Sequence, residues 1–233
     1  MSLTITTYGD SSADTLLVQM ADDHDLEVIE QEVSYIQELS GDRAFCLKAV
    51  KIDSWNNDLS PWPAPAVFGK EGFGEGAADT LAYLLREVVP APIVSAPAVS
   101  ASEIPAPDRS EMPAKRVFLG GYSLAGLFAL WAGYRTDVFD GIAAASPSIW
   151  FPSFTDYMRE NEIHVEAVYL SLGDKEERTR NPVMSQVGNA IRQGYSILKE
   201  SGTDCILEWN KGNHFREPDL RTAKAFAWLM NRD

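Results

Sequence analysis

A chain of 233 residues is long enough to bury the core of one sizeable α/β domain. Its formal net charge of −14 speaks against a nucleic acid or an anionic membrane as partner, since either needs basic patches. Cys46 and Cys205 lie far apart in apparent strands and read as buried thiols rather than as a disulfide or a metal site. The N-terminus lacks a basic region followed by an apolar one, and no apolar run approaches transmembrane length, so a cytoplasmic location is expected.

Residues 1–14 are polar and small, which fits a frayed lead-in or an edge strand. Thr15 to Met20 is an apolar run suited to a buried strand, followed by the acidic segment Ala21-Asp22-Asp23-His24-Asp25. Leu26, Ile29, Val33 and Ile36 then recur at helical spacing until Gly41. Ala44 to Ile52 reads as a strand. The loop from Asp53 to Pro65 holds prolines that forbid helix and ladder pairing. Gly69 to Gly76 is glycine-rich, but it follows no strand, lacks a Gly-Lys-Ser/Thr ending and carries Glu71 and Glu75, so phosphate binding is not expected there. A helix is expected over about Ala77–Val89. Residues 90–113, rich in Ala, Pro and Ser, read as a surface insertion within one domain spanning 1–233.

The next stretch, Arg116 to Trp131, passes from an apolar strand through small residues around Ser123 into an apolar helix. That is the pattern of a nucleophile elbow, a sharp strand-to-helix turn that lifts a serine hydroxyl above the sheet edge. Strand and helix come close there, so the positions two before and two after the serine must be small. They are Gly121 and Ala125. Strands are then expected at Gly141–Ala145, Val165–Leu172 and Thr203–Trp209, with helices marked by Met184 to Leu198 and by Leu220 to Met230. The alternation predicts an α/β fold, a mostly parallel sheet with helices on both faces, whose ligands bind beyond the carboxyl ends of the strands.

A serine needs a base to take its proton, and the chain has three histidines. His164 precedes a strand, at the wrong end. His24 lies in the loop after the Thr15–Met20 run. His214 follows the last strand, which makes it the favoured base. The acid that holds the imidazole should follow the strand between serine and histidine. Glu176 is favoured there, three residues past Gly173, with Asp174 and Glu177 left open. The oxyanion hole would use the backbone N–H of Leu124 and a second N–H near Met20 or Ala21. Trp55, Trp62 and Trp150, on loops at the same edge, are candidates to wall a substrate pocket or to pack under long loops. Tyr122 beside the serine joins them as a substrate-contact candidate.

The elbow Gly120-Gly121-Tyr122-Ser123-Leu124-Ala125-Gly126, the segment Ala145-Ser146-Pro147-Ser148-Ile149-Trp150 and the turn Gly212-Asn213-His214 together resemble the esterase D-like branch of the α/β-hydrolases, which includes siderophore (enterobactin-type) esterases. The resemblance covers roughly residues 115–231. It implies an α/β-hydrolase fold, a three-layer sandwich, with serine-dependent hydrolysis of a small-molecule ester and neither metal nor cofactor. It places the nucleophile on Ser123 and the base on His214. The family's His-Gly oxyanion motif is replaced here by Met20-Ala21-Asp22-Asp23-His24, and some siderophore esterases of the branch are thought to work with a Ser–His pair. The alternatives to ester hydrolysis are acyl transfer through the same intermediate and a non-catalytic binding module on a hydrolase fold.

Overall fold

The computed structural model describes residues 3–67, 69–89 and 114–232. Seven strands form one sheet: β1 (Thr4–Gly9), β2 (Thr15–Ala21), β3 (Cys46–Lys51), β4 (Arg116–Tyr122), β5 (Gly141–Ala145), β6 (Ala167–Gly173) and β7 (Asp204–Asn210). Their spatial order is β1-β3-β2-β4-β5-β6-β7. β1 pairs antiparallel to β3, and every other pairing is parallel. The polar N-terminal stretch is thus an edge strand, where one face and one ladder remain open to water and polar side chains cost little. The central strands β4, β5 and β6 are covered on both faces and read as unbroken apolar or small-residue runs.

Helices α1 (Asp23–Leu39) and α7 (Pro218–Met230) cover one face of this sheet. Ile29 and Ile36 of α1 share a core with Phe226, Leu229 and Met230 of α7 and with Leu17, Phe118 and Tyr169 of the strands. On the other face lie α3 (Ala77–Tyr83), α4 (Leu124–Gly133), α5 (Phe154–Glu160) and α6 (Val187–Glu200), packed on Val18, Leu119, Ile142 and Leu170. The result is a three-layer sandwich. The α7 face lies close: a Cβ on Gly120 would come 2.7 Å from both Ala143 Cβ and Phe226 Cζ, and one on Gly141 would come 2.6 Å from Leu229 Cδ2.

Several local features depart from the sequence reading. A four-residue helix α2 (Trp55–Asp58) stands inside the supposed extended loop, because its prolines begin only at Pro61. Ala64, between two prolines, keeps its own N–H and forms a two-way bridge with Phe73 at 3.2 and 2.8 Å. The glycine-rich segment is strapped to α2, with Gly74 N and Gly76 N donating to the carbonyls of Asn56 and Asn57 at 3.0 and 2.9 Å. Gly74 and Gly76 serve close packing against Asn57, and Gly72 against Ala64 O. The helix expected to run to Val89 changes at Leu84 into a π-helical turn, Leu84–Val88. The short helix α5 was not anticipated, since two turns carry too little periodicity to read. The expected insertion at 90–113 lies outside the described residues. Among the described residues no helix is long and apolar enough to cross a membrane.

Candidate active site

Ser123 sits between the last residue of β4 and the first of α4, with φ 58° and ψ −117°. A side chain at positive φ is strained, and here the surroundings enforce it. Its N–H donates to Ala145 O at 3.1 Å, and its carbonyl accepts from Leu127 N at 3.1 Å and Ser148 N at 3.0 Å. The small-residue spacing is explained directly. A Cβ on Gly121 would meet Ala125 Cβ at 2.5 Å, so one of the pair must be glycine while the other is free to be alanine. A Cβ on Gly126 would come 3.0 Å from Gly121 O and 3.2 Å from Pro147 Cβ.

His214 lies on the turn between β7 and α7. Its Nε2 is 3.0 Å from Ser123 Oγ, and its Nδ1 is 2.7 Å from Glu176 Oε2. The His214 side chain is 34 % exposed and that of Glu176 only 5 %. The other Glu176 oxygen accepts from Gly173 N at 2.7 Å, Ser146 Oγ at 2.9 Å and Arg221 Nη1 at 2.9 Å. Burial alone would raise the Glu176 carboxyl. The bond and charge of His214, with donors Gly173 N–H and Ser146 O–H, outweigh it and hold the group below the usual carboxylate range.

The two rival acids are occupied elsewhere. Asp174 Oδ1 accepts from Gly212 N at 2.8 Å, and Lys175 N donates to Gly212 O at 3.0 Å, so this pair fastens the β6 turn to the histidine turn. Glu177 Oε2 reaches Arg192 Nη1 on α6 at 3.3 Å. His24 is exposed and lies 3.7 Å from Glu27, and His164 is exposed before β6.

Leu124 is the first residue of α4, so its N–H is one of those that a helix start leaves without an intrahelical partner, at the positive end of the helix dipole. Met20 and Ala21 end β2, just past its last pairing with β4 at Gln19↔Gly120. Met20 O is close to the elbow, 3.3 Å from where a Gly121 Cβ would stand.

The aromatic candidates separate. Trp62 is built into a cluster with Phe151, Phe154 and Tyr157, centroids 5.9, 6.2 and 5.4 Å away, and its indole N–H donates to Pro152 O at 2.9 Å. That is the packing alternative. Trp55 is half-buried against the core. Trp150 stands edge-on to Phe73 at 6.1 Å, two residues beyond Ser148, whose Oγ lies 3.5 Å from Ser123 Oγ. Tyr122, the other substrate-contact candidate, has its hydroxyl engaged within the protein. It is buried, its hydroxyl donates to His214 O at 2.7 Å and accepts from Arg221 Nη1 at 3.0 Å, and burial with the Glu176 charge pushes the phenol up to about 12.

Three residues of this network were given no role by the sequence: Ser146 and Ser148, which stand in one of the motifs quoted above, and Arg221. Ser146 has φ 42° and turns the chain away from β5. Arg221 falls on the buried Arg221–Ala225–Leu229 stripe of α7. A lone cation on an apolar stripe, seven residues after the histidine, was the signal available. Among the described residues, no group of three or more His, Cys, Asp or Glu side chains is placed to hold a metal ion.

No family model matches the sequence, and no curated protein matches it. Solved structures do. The siderophore hydrolase EstA from Aspergillus nidulans superimposes with a TM-score of 0.69 at 21 % identity, over 96 % of this chain and 85 % of that one. An IroE-like serine hydrolase from Shewanella oneidensis gives 0.72 at 13 % identity, over 98 % and 75 %. The enterobactin esterase FES from Shigella flexneri, solved in the presence of 2,3-dihydroxy-N-benzoyl-glycine, gives 0.59 at 17 % identity, and this chain spans 55 % of its length. At these identities the likeness carries the architecture, and with the seven-stranded sheet it establishes that the chain has the α/β-hydrolase fold.

Proposed function

We propose that the protein is a serine hydrolase that cleaves a carboxylic ester of a small molecule through an acyl-Ser123 intermediate. The observation that carries this reading is the continuous chain Ser123 Oγ–His214 Nε2–Glu176, at 3.0 and 2.7 Å, on an elbow that holds the serine in a strained conformation. His214 takes the Ser123 proton as the hydroxyl attacks the ester carbonyl. The tetrahedral oxyanion is received by the N–H of Leu124 and a second N–H from Met20 or Ala21. His214 then returns the proton to the leaving alcohol, and Glu176 stabilises the imidazolium formed in between. Water, activated by the same imidazole, releases the acid.

An assembled site of this kind argues against a binding module, which has no use for a positioned base. Trp150 is the aromatic best supported as a pocket wall, being closest in the chain to Ser148. Two buried, unbridged cysteines support a reducing compartment such as the cytoplasm. A siderophore hydrolase and an enterobactin esterase among the similar structures make siderophore esters a natural extension of the substrate panel.

The test is hydrolysis of p-nitrophenyl esters from acetyl to decanoyl by the wild type and by Ser123→Ala. The substitution should lower kcat by roughly 10³- to 10⁶-fold. Equal rates in the two proteins would show that Ser123 is structural.

A further inference from the structure

Arg221 is the largest fully buried side chain among the described residues, 1 % exposed. Burying a guanidinium costs several kcal/mol even after relaxation, and apolar side chains of similar volume often stabilise such positions better. This one is not fully satisfied either, since its Nε has no hydrogen-bond partner among the described residues. The remaining nitrogens are aimed at two groups of acceptors. Nη1 donates to Glu176 Oε1 at 2.9 Å, to Tyr122 Oη at 3.0 Å and to Ser146 Oγ at 3.3 Å. Nη2 donates to Asn213 O at 3.0 Å and Lys211 O at 3.3 Å, the backbone of the turn that carries His214. Tyr122 closes the circuit by donating to His214 O at 2.7 Å.

We propose that Arg221 is a positioning residue that holds the acid and the base of the site in register, one planar fork fixing the Glu176 carboxylate on one side and the His214 turn on the other. This rests on the esterase reading above. Glu176 and His214 come from different turns, after β6 and after β7, and a 2.7 Å bond between them survives only if the turns do not slide. Asp174 ties the turns at their bases, through Gly212. Arg221 ties them at the level of the reacting side chains. A rigid five-donor fork is suited to spanning a carboxylate and two carbonyls, and the single ammonium of a lysine is not.

The test compares wild type with Arg221→Met, Arg221→Lys and Glu176→Gln. Two readouts are taken: the kcat and KM of ester hydrolysis, and the far-downfield proton resonance of the His214 Nδ1–H bound to the Glu176 carboxylate. Glu176→Gln removes that resonance and serves as its reference. Misplacement of reacting groups by about 1 Å costs about 10²-fold. Folded Arg221→Met should therefore lose about 10²-fold in kcat with KM nearly unchanged, and the resonance should broaden or vanish. Should Arg221→Met fail to fold, Arg221→Lys carries the test, with lowered kcat and a weakened resonance in a protein whose thermal transition is retained. Wild-type kcat and an intact resonance in either folded variant would overturn the proposal. So would a rise in KM with kcat preserved. The resonance needs no substrate, so an inactive wild type would count against the esterase reading and leave the positioning role readable.

Discussion

The contact between Gly121 and Ala125 decides the elbow. A methyl group on residue 121 would have its nearest neighbours in Ala125 Cβ at 2.5 Å, Ala125 C at 3.2 Å and Met20 O at 3.3 Å. Gly121→Ala should therefore destabilise the protein by about 1–3 kcal/mol, the usual cost of forcing an extra methyl group into a packed site. In an Ala125→Gly background the worst of these contacts is gone, and the same substitution should cost less, leaving a coupling of about 0.5–3 kcal/mol in a double-mutant cycle by urea denaturation. Strict additivity would mean that strand and helix relax apart instead. The pairing of Ser123 with His214, 3.0 Å apart, was legible in the sequence because each stands in a short local pattern, small residues around Ser123 and a glycine turn around His214. The carboxylate that meets His214 was legible only as a favoured Glu176 with two alternatives left open. Asp174, Glu176 and Glu177 differ in where their carboxylates go, and that depends on partners 15 to 45 residues away: Gly212, Arg221 and Arg192. The engagement of the Tyr122 hydroxyl was hidden for the same reason, since nothing within its own strand announces a bond to His214 O.

Helix α1 and strand β2 meet through an unusual pair. Gln19 and Glu32 are both buried, with Gln19 Nε2 donating to Glu32 Oε2 at 3.3 Å, while Gln19 Oε1 and Glu32 Oε1 lack partners among the described residues. Burial, helped by the charges of Asp25 and Asp219, raises the Glu32 carboxyl well above its ordinary range despite the Gln19 bond. The acid form supplies an O–H that can face Gln19 Oε1. Asp25, in the first turn of α1, is likewise pushed up to about 6 by burial and by the Asp22 charge. A group raised on folding contributes stability that is fully present below its unfolded pKa and lost as pH rises through its folded one. The Asp25 share should fade between about pH 4 and pH 6, and the Glu32 share as pH rises from the ordinary carboxylate range through its raised folded pKa. Glu32→Gln keeps the shape, adds a donor and carries no charge. It should raise the melting temperature at pH 8, by roughly 2–4 °C for each kcal/mol recovered, and flatten its decline with rising pH in scanning calorimetry. A lower melting temperature at pH 8 would show that the fold requires the carboxylate. The helix α1 itself was readable from Leu26, Ile29, Val33 and Ile36. Its buried glutamate was not, because acidic residues filled the other face and Glu32 looked like one of them.

Across the whole molecule, the net charge of −14 is unevenly spread. The turns after β6 and β7 carry exposed Lys175, Arg178, Arg180, Lys211 and Arg216 beside Asp174 and Glu217, while only acidic residues, Asp22, Asp23 and Asp25, flank His24 after β2. The sheet is similarly uneven. β7, which carries the His214 turn, is an edge strand paired only with β6, whereas β3 lies between β1 and β2. Each carries one buried cysteine, Cys205 on β7 and Cys46 on β3, both raised by burial and so poor thiolates in the folded state. Edges open before centres. Under mild urea, site-resolved thiol labelling should therefore modify Cys205 ahead of Cys46, and the ester hydrolysis proposed above should fall in step with Cys205. Activity that outlasts the labelling of both would place the weak point elsewhere.

The strained backbone at residue 123 has a consequence beyond chemistry. A serine at φ 58° carries a conformational cost of about 1–3 kcal/mol that a glycine would not. The architecture by itself thus prefers, at its most prominent turn, the one residue that has no side chain with which to attack. Ser123→Gly should therefore gain stability while losing the hydroxyl, so the fold and the hydroxyl make opposing demands on this one position.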